Sequence, residues 1–250
     1  TNNLDMKMKF FFKPVFWPTV FFVFSFTILL SLGTWQVKRL IWKNDLISFY
    51  LKQSANNIIN LHKENFVSEE IEYRKVRLIG KFLNKKEVHI TGKTYEGNAG
   101  FHVVTPFLMQ NGNYVLVNRG WVSENYKEAK SRSFSLINEE TSVIGIIRYP
   151  QKKGYFVPEN EPDNGFWFTI KPTEIKKHLK FDKETFIIKF YVDALRQEKK
   201  INLPIGIKEK INIRNQHLSY AITWYSLAIV LMIIYLSYHY SEGKLRIRKL

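Results

Sequence analysis

Residues 15–37 read VFWPTVFFVFSFTILLSLGTWQV, 23 residues without a formal charge. A helix rises about 1.5 Å per residue, so roughly 20 residues cross a hydrocarbon layer of about 30 Å. The stretch is too long for the apolar core of a signal peptide, and no small-residue cleavage site precedes Lys38. It predicts a retained membrane helix. Near the other end, residues 218–238 read LSYAITWYSLAIVLMIIYLSY, again without charge. A stretch apolar on every side, followed by a basic tail, fits lipid better than a soluble core. The layout is therefore a 1–14 tail, a 15–37 span, a 38–217 domain, a 218–240 span and a 241–250 tail.

Charge orients this layout. The chain of 250 residues carries 38 Lys+Arg against 22 Asp+Glu, a net +16. Lys7, Lys9 and Lys13 precede the first span, and Lys244, Arg246, Arg248 and Lys249 follow the second, giving the tails a net +5. Basic flanks stay cytoplasmic, and a long loop between spans is largely exempt from that bias. Both tails are expected inside and 38–217 outside. About 14 residues precede the first span, so no transit peptide is expected unless the chain is already processed. This favours a bacterial inner membrane over a mitochondrial one. The remaining +11 is mostly lysine spread along the outer domain, which argues against nucleic acid. Cysteine is absent, so disulfides, thiolate metal sites and a cysteine nucleophile are excluded.

In the outer domain, Leu40–Asn60 reads as a helix that continues the first span. Strand patterns follow at Tyr73–Phe82, Glu87–Thr91, Phe101–Met109, Tyr114–Val122, Thr141–Tyr149, Phe166–Ile170 and Thr185–Val192. Gln110-Asn111-Gly112-Asn113 predicts a hairpin between the third and fourth of them. Thr173–Leu179 reads as a short helix capped by Thr173, and 150–165 as a surface loop. The expected fold is α+β: two transmembrane helices flanking a mainly antiparallel barrel or sandwich-like domain. No nucleophile elbow, phosphate loop or His-Glu-x-x-His occurs. His62, His89, His102 and His178 are scattered singly. Glu159, Glu161 and Asp163 lie between prolines and read as a solvated turn. Met6, Met8, Met109 and Met232 do not cluster, so a soft copper site is unsupported.

The outer ends of the spans are richer. Trp35, Arg39 and Trp42 fall on one helical face, and His217, Tyr220, Ala221 and Trp224 on another. Gly33, Thr34 and Ala221 would allow the helices to approach closely. One reading is an interfacial aromatic belt with a snorkelling arginine. Another is a haem, with imidazole on iron, aromatics along the macrocycle and arginine on a propionate.

At these residues the chain resembles the surfeit locus protein 1 family of cytochrome c oxidase assembly factors. The resemblance runs through Leu32-Gly33-Thr34-Trp35-Gln36-Val37-Lys38-Arg39-Leu40, Tyr73-Arg74-Lys75-Val76, Gly80-Lys81-Phe82 and Gly100-Phe101-His102-Val103-Val104-Thr105-Pro106. It continues in Asn118-Arg119-Gly120-Trp121, Gly154-Tyr155-Phe156-Val157-Pro158, Trp167-Phe168 and His217-Leu218-Ser219-Tyr220-Ala221-Ile222-Thr223-Trp224. Thr169 to Pro172 and Pro204 to Lys208 depart from the family pattern. The resemblance implies a non-enzymatic factor in haem–copper oxidase biogenesis that binds haem a and assists its insertion into the catalytic subunit. It implies the iron ligand at His217; on the haem reading of the two helical faces, Arg39 would meet a propionate and Trp35, Tyr220 and Trp224 would line the ring. The catalytic subunit, haem a synthase and membrane lipid are the implied partners. A haem-free scaffold for the oxidase core subunit and a membrane-anchored enzyme are the alternatives.

Overall fold

The computed structural model describes residues 8–61, 71–150, 152–181, 186–187, 189–196, 203–208 and 215–249. In chain order its elements are β1 (Met8–Phe12), α1 (Phe16–Ala55), β2 (Ile59–Asn60), β3 (Lys75–Phe82), β4 (Val88–Tyr95), β5 (Asn98–Met109) and β6 (Tyr114–Ser123). Then come β7 (Thr141–Arg148), α2 (Pro172–His178), β8 (Tyr191–Ala194), α3 (His217–Ser241) and β9 (Leu245–Lys249). The chain divides into two compact units, one made by its two ends and one by residues 49–211.

In the first unit, α1 and α3 are both long and apolar enough to cross a membrane. Only 6% and 11% of their most apolar windows are buried. A soluble core helix would be mostly covered, so these open apolar surfaces fit membrane association. Pro18 falls in the first turn of α1, where the missing N–H has no intrahelical partner to lose. β1 and β9 pair antiparallel from Met8↔Lys249 to Phe12↔Leu245, and the Lys13 N–H extends the ladder to the Lys244 carbonyl. The two tails thus lie side by side at one end of the helix pair.

The second unit is a seven-stranded sheet of order β2-β3-β7-β8-β6-β5-β4. The last residues of β3 also pair with β5, so the sheet curls back on itself. The expected mainly antiparallel barrel or sandwich is corrected to a mixed sheet, because β2–β3 and β6–β8 are parallel. β6 is buried at nearly every position. Val115 and Val117 enter one core with Leu78, Phe107 and Ile147, while Leu116 enters another with Ile90, Trp167 and Ile175 of α2. Side chains alternate across a strand, so a strand covered on both faces reads as a continuous apolar run.

Two hairpins organise β4, β5 and β6. The Asn111-Gly112 turn is present, with Gly112 at φ 81° and the Asn113 N–H donating to Asn111 Oδ1 at 3.1 Å. The other, Glu96-Gly97 between the paired Tyr95 and Asn98, has both central residues at positive φ, as a type I′ turn requires.

Several expectations shift. The helix after the first span stops at Ala55, and Ile59–Asn60 is a short strand. Phe166–Ile170 is not a strand; Trp167 makes one isolated bridge to Ile90. The last strand of the sheet is Tyr191–Ala194. α2 is not capped by Thr173. Lys171 is its N-cap and Pro172 its first residue, whose fixed φ suits that place.

Candidate functional site

Glycine and threonine set how α1 meets α3. At Gly33 a Cβ would lie 2.8 Å from Tyr225 Cε1, so only glycine lets the tyrosine ring lie this close. The Thr34 hydroxyl donates to the Leu30 carbonyl at 2.8 Å, leaving its oxygen to accept from the Tyr225 hydroxyl at 3.2 Å. Ala221 and Ala228 are buried against the partner helix. One turn further along α1, Gln36 is only 9% exposed, and its Oε1 lies 2.7 Å from His217 Nδ1. Asn215 Nδ2 donates to Asn44 Oδ1 at 2.8 Å beyond it. This end lies away from the β1–β9 ribbon and is called distal below.

The sequence-expected residues are distributed around that contact. His217 is the first residue of α3 and is half-buried. Among the described residues its Nε2 has no partner. Trp35 and Tyr220 are 56% and 54% exposed, and Trp224 is half-buried. The Arg39 guanidinium stacks 4.0 Å over the Trp42 ring. Among the described residues no ring contact joins Trp35, Tyr220 or Trp224 to His217. The structure brings His217 and Gln36 together, and Arg39 and Trp42, and leaves Trp35 and Tyr220 exposed and Trp224 half-buried.

Sequence reasoning missed His239, which is fully buried at the proximal end of α3. Its Nε2 accepts the Val15 N–H at 3.1 Å and its Nδ1 lies 2.9 Å from the Tyr235 carbonyl. The Tyr235 hydroxyl bonds Thr19 Oγ1 at 2.8 Å, and its ring stacks on Phe22 at 4.2 Å. A histidine inside a charge-free span was the available signal.

In the second unit the Asn118-Arg119-Gly120-Trp121 motif is bonded into the sheet. Asn118 Nδ2 donates to Asp193 Oδ1 at 2.7 Å and to His102 Nδ1 at 3.3 Å, while its Oδ1 accepts the Gly120 N–H. Gly120 has φ 116°, and any Cβ there would overlap the Ile205 carbonyl. Trp121 and Ile205 exchange both backbone hydrogen bonds. Burial, with Lys93 nearby, lowers the His102 pKa to about 4, so the ring is neutral. Burial raises Asp193 against the pull of Asn118 and Arg148. Arg119 stacks on Phe82 and donates to Asn84 Oδ1 at 3.0 Å; burial, with Arg132 adding to it, lowers its pKa to about 10. Buried Arg132 pairs with Glu87, which also meets His89.

The remaining candidates are occupied elsewhere. Glu159 pairs with Lys153 at 2.5 Å and Lys171 at 3.4 Å, and Glu161 accepts from Asn164. His178 packs edge-on to Trp167, and Met109 is core. No group of three or more metal-ligating side chains occurs among the described residues. His62 and Met6 lie outside the described residues.

Comparison with known proteins decides the family. The SURF1 family matches residues 23–229, which includes the distal ends of both spans and the sheet between. This chain belongs to the SURF1 family. It is 33% identical over 228 residues to a SURF1-like protein of Rickettsia conorii, covering 88% of this chain and 90% of that one. A SURF1-like protein of Caenorhabditis elegans is 32% identical, covering 86% and 70%. Surfeit locus protein 1 of Mus musculus is 30% identical, covering 79% and 67%. SURF1 relatives thus occur in bacteria and in animals. The motif residues of the distal site, from Gly33 to Arg39 and from His217 to Trp224, all fall inside the matched range.

Proposed function

We propose that this SURF1 protein is an assembly factor for haem–copper cytochrome c oxidase. It holds haem a at the distal end of its helix pair for insertion into the catalytic subunit. We place it in a bacterial inner membrane with both tails cytoplasmic, which puts the distal end at the outer interface. The observation that carries this reading is the Nε2 of His217, unpartnered among the described residues, at the end of the helix pair where Trp35 and Tyr220 are exposed. An imidazole nitrogen with a free lone pair is an axial ligand for haem iron, and the iron supplies the chemistry of attachment. His217 would take that position. Trp35, Tyr220 and Trp224 would flank the ring, and Arg39, already exposed, would leave Trp42 to meet a propionate. A single neutral ligand at a wet interface favours release, which delivery requires.

The test is purification of the full chain from cells that make haem a, with and without His217→Ala. A haem spectrum in the wild type, lost in the variant, is expected. An unchanged spectrum in the variant overturns the ligand assignment. A second reading, a haem-free scaffold for the oxidase core subunit, draws on Tyr155 and Phe156. These neighbours are each 94% exposed at a turn closed by the Val157 N–H on the Gly154 carbonyl. Two bare aromatics on a turn are built to be covered by another surface. Copurification of the core subunit without any haem would favour that reading.

A further inference from the structure

Gln36 is the one polar side chain of α1 inside the charge-free stretch of 15–37 that is buried against α3. A buried amide in a membrane is costly unless it is bonded. Gly33, one turn earlier, lets the Tyr225 ring of α3 come close to α1. We propose that Gln36 is a positioning residue that fixes the tautomer of His217. This proposal rests on the haem reading above for its purpose, but not for its geometry.

The carbonyl oxygen of Gln36 can only accept, so at 2.7 Å His217 Nδ1 must carry the proton. The lone pair is then on Nε2, the nitrogen without a protein partner. The free neutral histidine side chain prefers the opposite arrangement, with the proton on Nε2, where it would block a metal on that nitrogen. Gln36 thus prepares the ligand before any cargo arrives. Histidines bound to metals are commonly held in this way by an acceptor on their other nitrogen. A neutral amide is a weaker acceptor than a carboxylate. It orients the ring without making the imidazole strongly basic, which suits a carrier that must let go. The two orientations of the amide predict opposite tautomers: turned over, its NH2 would donate to Nδ1 and the proton would sit on Nε2.

The experiment uses the full chain in lipid nanodiscs with 15N-labelled histidine rings, first without haem and at a pH where the ring is neutral. Subtraction of the His217→Ala spectrum assigns the His217 signals. The wild type is expected to show protonated Nδ1 and bare Nε2. Gln36→Leu is expected to move His217 toward protonated Nε2 while leaving the His239 signals in place. Gln36→Glu is expected to keep Nδ1 protonated. Protonated Nε2 in the wild type, or an unmoved His217 in Gln36→Leu, overturns the proposal. With haem a added, Gln36→Leu should weaken binding by about tenfold to a hundredfold. Gln36→Glu should slow release and shift the haem midpoint potential to more negative values. If the wild type shows protonated Nδ1 but takes up no haem, the tautomer assignment stands and the haem reading fails.

Discussion

α3 carries a histidine at each end, and the two are treated in opposite ways. At the proximal end His239 is fully buried, and both ring nitrogens are engaged with backbone groups. At the distal end His217 is half-buried, with one nitrogen held by a side-chain amide and the other open. The surrounding carpentry is nearly the same. At each end a threonine of α1 ties its hydroxyl to the carbonyl four residues back and receives a tyrosine hydroxyl of α3, Thr19 with Tyr235 and Thr34 with Tyr225. The helices are therefore joined by similar bridges, and the difference lies in the imidazoles. A saturated histidine fastens; one with a bare nitrogen can bind.

The largest expected effect breaks this contrast directly. His217→Ala should reduce haem affinity by more than about a hundredfold, with a stability loss of only about 1 kcal/mol from the Gln36 amide it leaves unbonded. His239→Ala should do the reverse, lowering stability by about 1–3 kcal/mol because the Val15 N–H is stranded, with the haem spectrum intact. Exchanged outcomes in calorimetry and absorption would refute the assignment of roles.

A somewhat smaller effect is expected at Gly33. Gly33→Val should force the Tyr225 ring aside, cost about 1–3 kcal/mol, and separate Gln36 from His217. Haem binding should fall with stability, and a variant that lost stability alone would show that the distal contact does not depend on this close approach.

The second unit offers a pH comparison. His102 has its pKa lowered from 6.5 to about 4 in the fold, so between those values the unfolded chain binds more protons. Its contribution is fully present above about pH 6.5 and is lost as the pH falls toward 4, by roughly 2–3 kcal/mol. Asp193, raised by burial, acts with the opposite sign. The difference between wild type and His102→Gln in denaturant titrations isolates the histidine, and a flat difference over that window would contradict the buried neutral ring. The smallest effect belongs to Arg39→Gln. Because its guanidinium is solvent-facing, haem affinity should drop only a few fold, and less at high salt.

What the sequence made legible follows from range. The spans, the Asn111-Gly112 hairpin and most strands are local signals, carried by periodicity and turn chemistry. The parallel β6–β8 pairing is not, since it joins Asn118 to Asp193 across 75 residues, and with it the His102–Asn118–Asp193 chain stayed hidden. At the distal site the close approach at Gly33 was legible in the sequence, but the aromatic stripe pointed to Trp35, Arg39 and Trp42, whereas the polar contact runs through Gln36. One residue along a helix turns the side chain by about 100°, so Trp35 stays exposed while Gln36 is buried. α2 was misplaced by one residue because Thr173 was read as a cap when Pro172 already starts the helix.

The β1–β9 ribbon has a mechanical consequence. It zips the two chain ends together, and the His239 bond to Val15 lies just beside it. The helix pair is thus a forceps with its jaws at Gln36 and His217 and its rivet at the ribbon. Parting the helices by about 10° over some 30 Å of span would open the jaws by roughly 5 Å and leave the rivet nearly still.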